Sequence, residues 1–377
     1  MVEEEPEHKV ACFYVNSEGY VATNYHVVND VVLHKDKYLL QFIDNNDVKD
    51  TLTVAGFDVV NDLAIVKHRN PAKQFLILDD SELNKGTKLY SLGNPRDLGM
   101  SIIEGTFNGL LEKRRIENIF FSGSLNPGMS GGPTLNSLGE VVGINVATSG
   151  EQMGFLVPVK FLKELMSNVN DNGVFDRENY EEIIEQQLYD YQNDYMTELL
   201  EMDWEAEEFG RAMVIKKLTD YFHEWGNVNV SSDDLYDVNY SGSRTKDYIG
   251  ISSDFYTGNI SMRFILLESD DLNLVQFYNL YKTKFAKYIS PGKGFEEEHS
   301  KYIVKHDFVK ISDEDFKTIL AIRQYKKYPG LYDLVFNAAR IGNDKSGIVF
   351  KLSLSGVSKE NGVAFLNKFL ENVEWKQ

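Results

Sequence analysis

A chain of 377 residues, 42% hydrophobic and 12% aromatic, is long enough to fill two or three separate cores. It sets 58 acidic side chains against 39 Lys and Arg, a formal net charge of −19, which repels phosphate backbones and anionic bilayers and excludes nucleic acid as an unaided partner. No run of about 18 apolar residues occurs, so no membrane insertion is expected. The start, MVEEEPEHKV, is acidic where a secretory signal is basic and then apolar, which leaves the compartment open, and the single Cys12 excludes an internal disulfide.

From Lys9 to about Val159, short apolar runs are punctuated by Gly, Asn and Asp: ACFYV, YVAT, YLLQFI, LTVAGF, LAIV, KLYSLG, IFFSG, EVVGINVA and GFLVPV. This pattern predicts an antiparallel β-barrel or sandwich with no long helix interrupting it. KFLKELMSNV then reads as a closing helix and Asn170 to Gly173 as a linker. Ile184, Leu188, Tyr191, Tyr195, Leu199 and Met202 recur at steps of three and four, the stripe of an amphipathic helix. A second helical stretch is expected over roughly Phe209 to Trp225.

Beyond Gly226 the pattern is α+β, with strands expected in YIGISSDF, ISMRFILLE, TILAIRQY, LYDLVFNA and IVFKLSLS. In the last, Phe350, Leu352 and Leu354 alternate with Lys351, Ser353 and Ser355. Ser358 stands at an N-cap position before a final helix carrying Val363, Leu366 and Leu370. The expected organisation is a β domain over residues 1–168, an acidic helical segment over 169–228 and an α+β domain over 229–377.

Amide hydrolysis needs a nucleophile, a base, an orienter for that base, and donors aimed at the oxyanion. The first 133 residues offer all four. LNPGMSGGP presents Ser130 as nucleophile, and Gly128 lets the backbone turn its N–H inward beside that of Ser130, with Met129 between them in the same turn. ATNYHVV places His26 at the end of a predicted strand after the turn Ser17–Glu18–Gly19, and NDLAIV places Asp62 just before another. A buried carboxylate there holds the imidazole in one tautomer.

Taken singly, the serine reads as a turn, the histidine as a satisfied core residue and the aspartate as a strand-capping residue. Their order and context favour the chemical reading. His34, His68, His223, His299 and His306 show no metal-ligand spacing, and no cofactor is expected.

The strings ATNYHVV, NDLAIVK, LGNPRDLG, NPGMSGGP, VVGINVA and GFLVPV, in this order, resemble the protease domain of the HtrA/Deg branch of trypsin-like serine peptidases, over about residues 10 to 165. The resemblance implies an all-β pair of six-stranded barrels with the active site between them. It implies His26 as general base, Asp62 as its orienter and Ser130 as nucleophile, with oxyanion donors from the Gly128 and Ser130 ends of the Gly128–Met129–Ser130 turn. It further implies a specificity pocket lined by Ser124, Leu125, Asn126, Ile144, Asn145, Val146 and Ala147, none of them charged, and so cleavage after small to medium aliphatic residues.

Two departures stand out. Met129 replaces the polar residue usual before the serine, and either packs the turn from beneath or leaves it off register until something binds. Val10 to Val15 replaces a Gly-Ser-Gly-like strand opening, with Cys12 reading as a small buried hydrophobe.

The PDZ modules common in the family are not found from residue 176 onward. That half reads as a binding module for protein substrates or for signals to the Met129 loop, or as a self-association element through the 184–202 stripe and its tyrosines, giving a homo-oligomer. The expected function is a serine endopeptidase acting on unfolded or flexible protein and peptide substrates, in a bacterial envelope or secreted setting by resemblance. The alternative is a silent or gated binding or scaffold protein that keeps a protease fold.

Overall fold

A computed structural model describes residues 10–43, 48–148, 153–229, 235–289 and 297–376. The chain divides into two compact units, one comprising Met1–Ile183 with Gly250–Tyr256 and the other Ile184–Ile249 with Thr257–Gln377.

The first unit opens with β1 (Phe13–Tyr14) and β2 (Tyr20–Thr23), which leads into helix α1 (Tyr25–Leu33). β3 (Leu40–Ile43), β4 (Lys49–Asp58) and β5 (Leu63–His68) complete an antiparallel sheet in the order β1-β2-β5-β4-β3. A closed barrel follows, built from β6 (Lys88–Gly93), β7 (Ser101–Leu110), β8 (Ile119–Phe121), β9 (Pro133–Leu135), β10 (Val141–Thr148) and β11 (Gly154–Pro158). Of the two expected six-stranded barrels, one is present as such. The other is a five-stranded sheet among the described residues, because β1 pairs over only two residues and gives no ladder on which the sheet could close.

Helix α2 (Val159–Asn172) buries Val159, Leu162, Leu165 and Val169 against Ala55, Ile65, Val141 and Ile144. It crosses β4 at Gly56, where a Cβ would lie 2.6 Å from Val169 Cγ2. The expected linker at 170–172 is therefore the last turn of a helix, which ends at Gly173 (φ 85).

The first unit also runs past residue 168. β4 bulges between Val54 and Gly56, and the Ala55 carbonyl left out of the ladder accepts the Phe175 N–H at 2.9 Å. Tyr180 Oη donates to the Val54 carbonyl at 3.2 Å, and the rings of Phe175 and Tyr180 each meet Phe57 edge-on at 5.4 Å. These contacts tie Phe175 and Tyr180 to β4.

Helix α3 (Tyr180–Glu201) belongs to the second unit from Ile184 onward, and its stripe turns inward: Ile184, Leu188, Tyr195 and Leu199 are buried. Tyr195, Met196 and Leu199 belong to the unit's largest core, so the stripe expected to join two copies is spent within one chain. β12 (Glu207–Phe209) and β13 (Ala212–Val214) follow as a hairpin, and β14 (Phe222–Asn229) begins the main sheet. The helix expected over 209–225 is absent because Gly210, at φ 58, turns the chain so that Phe209 pairs Ala212.

β15 (Asp237–Thr245), the short pair β16 (Ile249–Gly250) and β17 (Tyr256–Thr257), β18 (Ile260–Glu268), α4 (Leu274–Ile289), β19 (Ile303–Ile311), β20 (Glu314–Gln324), β21 (Tyr332–Ile341) and β22 (Ser346–Val357) come next. Helix α5 (Lys359–Glu371) and β23 (Glu374–Trp375) end the chain. The seven-stranded antiparallel sheet runs β14-β15-β18-β22-β21-β20-β19. Of YIGISSDF only Ile249 and Gly250 are strand.

Alternation puts Phe350, Leu352 and Leu354 on one face of the sheet, beneath Phe365 and Phe369 of α5, and Val349, Ile265 and Leu267 on the other, beneath Phe277 and Tyr281 of α4. Ser358 caps α5 by accepting the Asn361 N–H. Val363 is exposed, so α5 is rotated from its expected stripe toward Phe365.

Phe350 has no exposed surface and its ring lies within 6.2 Å of Phe264, Phe316, Phe336 and Phe369. Phe350→Ala is expected to cost about 3–5 kcal/mol of second-unit stability, read as a lower denaturation midpoint at unchanged slope.

Candidate active site

The first unit holds His26 just after β2, Asp62 immediately before β5 and Ser130 shortly before β9. β2 stops at Thr23 and the chain turns directly into α1, so His26 stands in the first helical turn rather than at a strand end. Asn24 has the backbone of an N-cap (φ −87, ψ 158), yet its side chain makes no capping bond. Its amide instead donates to the Asp62 carbonyl at 2.9 Å.

Asp62 supplies the cap. Its Oδ1 accepts the His26 backbone N–H at 2.8 Å and its Oδ2 meets His26 Nδ1 at 2.7 Å. One carboxylate thus neutralises a helix N-terminus and fixes an imidazole. Asp62 is held at φ 54 after a turn that Asp58 ties down by accepting the Val60 and Asn61 N–H groups. Burial of the His26 ring lowers its pKa, but the charge of Asp62 and its hydrogen bond raise it further, and the net pKa lies above the ordinary value.

Ser130 sits at the end of a tight turn. Met129 N–H donates to the Asn126 carbonyl at 3.0 Å, and Gly128 between them has φ +95. A Cβ at residue 128 would lie 2.4 Å from the Asn94 carbonyl oxygen, so glycine is required by both angle and space. The Pro127 carbonyl accepts the Arg96 N–H at 2.9 Å. Because a trans peptide points its N–H opposite its C=O, this bond also sets the direction of the Gly128 N–H.

Among the described residues the N–H groups of Gly128 and Ser130 make no hydrogen bond. Met129 N–H is already spent in the turn and is not an oxyanion donor. Its side chain has no exposed surface and packs with Leu89, Phe107, Phe121, Leu125 and Leu156 in the barrel core.

The strand expected to line the pocket is placed differently from the expectation. Ile144 has no exposed surface and lies in the core with Val157 and Leu162, and Leu125 is buried beside Met129. Asn145, fully buried, accepts from Ser91 and Thr134 and donates to the Leu92 and Met129 carbonyls. Ile144 and Asn145 are successive residues of β10 and so point to opposite faces, and both are covered. Ser124 and Asn126 are half-buried, and Ala147 pairs with Phe155.

The register of β10 against β11 shifts between Asn145 and Ala147, leaving Val146 as the bulged residue. Its carbonyl accepts the Ser130 hydroxyl at 3.1 Å, and no described hydrogen bond joins Ser130 to His26.

Four contributions escape motif reading. Asn24 acts through the Asp62 carbonyl, Arg96 through its backbone N–H, and Asn145 as a strut beneath the turn. Ala11 donates its N–H to the Ser130 carbonyl at 3.0 Å, so the divergent N-terminal strand buttresses the serine. Only Asn24, beside the histidine at an N-cap position, carries a sequence signal. In that same strand, burial pushes the Cys12 thiol up to about 11 and keeps it protonated.

Residues 10–144 match the family described as a trypsin-like peptidase domain, and the relatives that this part of the chain is similar to are of the HtrA/Deg kind. The chain is 33% identical over 173 residues to the periplasmic pH-dependent serine endoprotease DegQ of Escherichia coli, covering 43% of this chain and 37% of that one. It is 28% identical over 179 residues to the serine protease Do-like HtrB of Bacillus subtilis, covering 43% and 38%. It is also 30% identical over 188 residues to a probable periplasmic serine endoprotease, DegP-like, of Brucella suis, covering 46% and 35%. The match thus spans well under half the length of these relatives. Among solved structures, the serine endoprotease from Yersinia pestis aligns over 44% of this chain and 58% of its own, at 25% identity and a TM-score of 0.39.

Removing the charge that raises the His26 pKa has a defined direction. In Asp62→Asn the His26 imidazole is expected to titrate at lower pH than in the wild type, followed by NMR of the ring protons.

Proposed function

We propose that this chain is a serine endopeptidase that hydrolyses peptide bonds in unfolded or flexible protein segments, with Ser130 as nucleophile, His26 as general base and Asp62 as its orienter. The observation that carries the reading is the two-point grip of the Asp62 carboxylate on His26. It leaves Nε2 as the ring nitrogen available to take the Ser130 proton and return it to the leaving amine. The uncommitted N–H groups of Gly128 and Ser130 are the donors for the oxyanion, each worth about 3–4 kcal/mol in such sites. The Gly128–Ser130 turn keeps them close together without rearrangement of the chain.

A gated or scaffold role is the second reading, and one bond favours it: the Ser130 hydroxyl rests on the Val146 carbonyl. Attack requires that hydroxyl to leave Val146 for His26, so a bound segment lying along β10 is a natural trigger. The substrates are proteins or peptides held in extended form. Cleavage after small to medium aliphatic residues is part of the proposal, resting now on the half-buried Ser124 and Asn126 and on the absence of a charged wall among the expected pocket residues. An envelope setting follows the relatives named as periplasmic, and no helix among the described residues is long and apolar enough to cross a membrane.

A fluorophosphonate probe is expected to label the wild type and not Ser130→Ala, with labelling enhanced by an unfolded protein such as casein; no labelling of the wild type under any condition establishes the scaffold reading instead. Since the base acts in its neutral form and its pKa is raised, kcat/KM is expected to climb with pH along a limb centred above about 6.5. Peptide hydrolysis measured from pH 5 to 9 checks the position of that limb.

A further inference from the structure

The residue before His26 reaches a part of the sequence that the peptidase match does not include. Tyr25 has no exposed surface, and its hydroxyl donates to the Ile251 carbonyl at 3.2 Å, across 226 positions of chain. Ile251 lies in Gly250–Tyr256, a stretch flanked on both sides by second-unit sequence and yet belonging to the first compact unit. We propose that Tyr25 and this returning segment are positioning elements for His26, so that the catalytic base is set from two sides, by Asp62 at its ring and backbone and by Ile251 through Tyr25. This deepens the peptidase reading and rests on His26 being the base.

The segment is built to present that carbonyl. Ile251 N–H donates to the Phe255 carbonyl at 2.8 Å, and the Phe255 N–H donates to Ser252 Oγ at 3.1 Å, closing a five-residue turn. Ile251 and Phe255 are 1% and 4% exposed, so both apolar side chains of the turn are buried.

On the other side, the Tyr25 ring packs on Phe57 at 5.6 Å. Phe57 is followed by Asp58, whose carboxylate organises the turn that delivers Asp62. Tyr25 therefore touches the strand that leads to the orienter and begins the helix that carries the base. Burial, with the charges of Asp62 and Asp30, pushes the phenol far above its ordinary range, so Tyr25 stays a neutral donor at every working pH.

An anchored Tyr25 fixes the tilt of the first turn of α1. With the anchor lost, the His26 backbone N–H and ring are held only by Asp62, and the carboxylate contact that raises the imidazole pKa loosens.

The test uses the full chain with Tyr25→Phe, which deletes one hydroxyl and keeps the ring, and Ile251→Ala as an independent variant at the other end. Tyr25→Phe is expected to lower the rate of fluorophosphonate labelling of Ser130 about tenfold, the size of one lost buried hydrogen bond with its orphaned partner, and Ile251→Ala, which keeps the carbonyl but removes the buried side chain beside it, to lower it in the same direction. Each is also expected to shift the acid limb of that rate, and the NMR titration of His26, to lower pH, with the circular dichroism spectrum unchanged. The titration needs no turnover. If the wild type never labels, the peptidase reading fails while the His26 shift still decides the positioning claim. A folded Tyr25→Phe with wild-type labelling rate and wild-type His26 titration overturns the proposal. Should one variant fail to fold, the same readouts on the other decide it.

Discussion

The site depends on one carboxylate making two bonds at right angles to the logic of ordinary secondary structure. A helix that begins directly after a strand leaves its first N–H groups unsatisfied, and α1 does so immediately after β2. The residue in position to cap it, Asn24, turns its amide to the Asp62 carbonyl instead. Asp62 then caps from a different strand, and the geometry that lets Oδ1 reach the His26 N–H brings Oδ2 to the ring. Capping is worth about 0.5–2 kcal/mol, which is comparable to the cost of keeping a non-glycine residue at φ 54. The strained aspartate is stable because it finishes a helix, and the imidazole is oriented because the aspartate is there.

Beneath the serine the arrangement is rigid for a complementary reason. The turn from Asn126 to Ser130 has only one side chain that enters the core, Met129, and that side chain fills the barrel interior beside Leu125. A polar residue there would have to find partners in an apolar layer. Asn145 meets the loop from below, joining the Met129 and Leu92 carbonyls and two hydroxyls through a single amide. Four bonds on one buried side chain satisfy every donor and nearly every acceptor it has, so the network adds order without an unpaired polar group. The bulge at Val146, next to this strut, frees a carbonyl at the edge of the site.

The β domain and its closing helix were legible in the sequence, because strand alternation is a local signal, and the strings that singled out His26 and Asp62 named two side chains that meet in the fold. The sequence also showed the stripe of α3 and the cap at Ser358. What it hid was long-range. Gly210 reads as an unremarkable glycine in a helical window until its positive φ is seen to pair Phe209 with Ala212. Ile144 and Asn145, successive residues of one strand, point to opposite faces, and nothing in the sequence marks that both faces are covered. Phe175 and Tyr180 return to β4 through contacts that no composition shift announces.

The same limit explains why a unit of sequence and a unit of structure differ here. The family match that ends at Ile144 covers the strands around His26, Asp62 and Ser130. Residues 250–256 enter the first unit by burying two side chains and accepting one hydroxyl, a small set of contacts that any chain with a suitable turn could supply. Such a piece leaves no motif, yet it meets the residue next to the base, where a displacement of less than an ångström matters more than a larger one elsewhere. A part of the chain can therefore be remote from the chemistry in sequence and adjacent to it in consequence, and the only signal of that adjacency is a buried phenol with its partner 226 residues away.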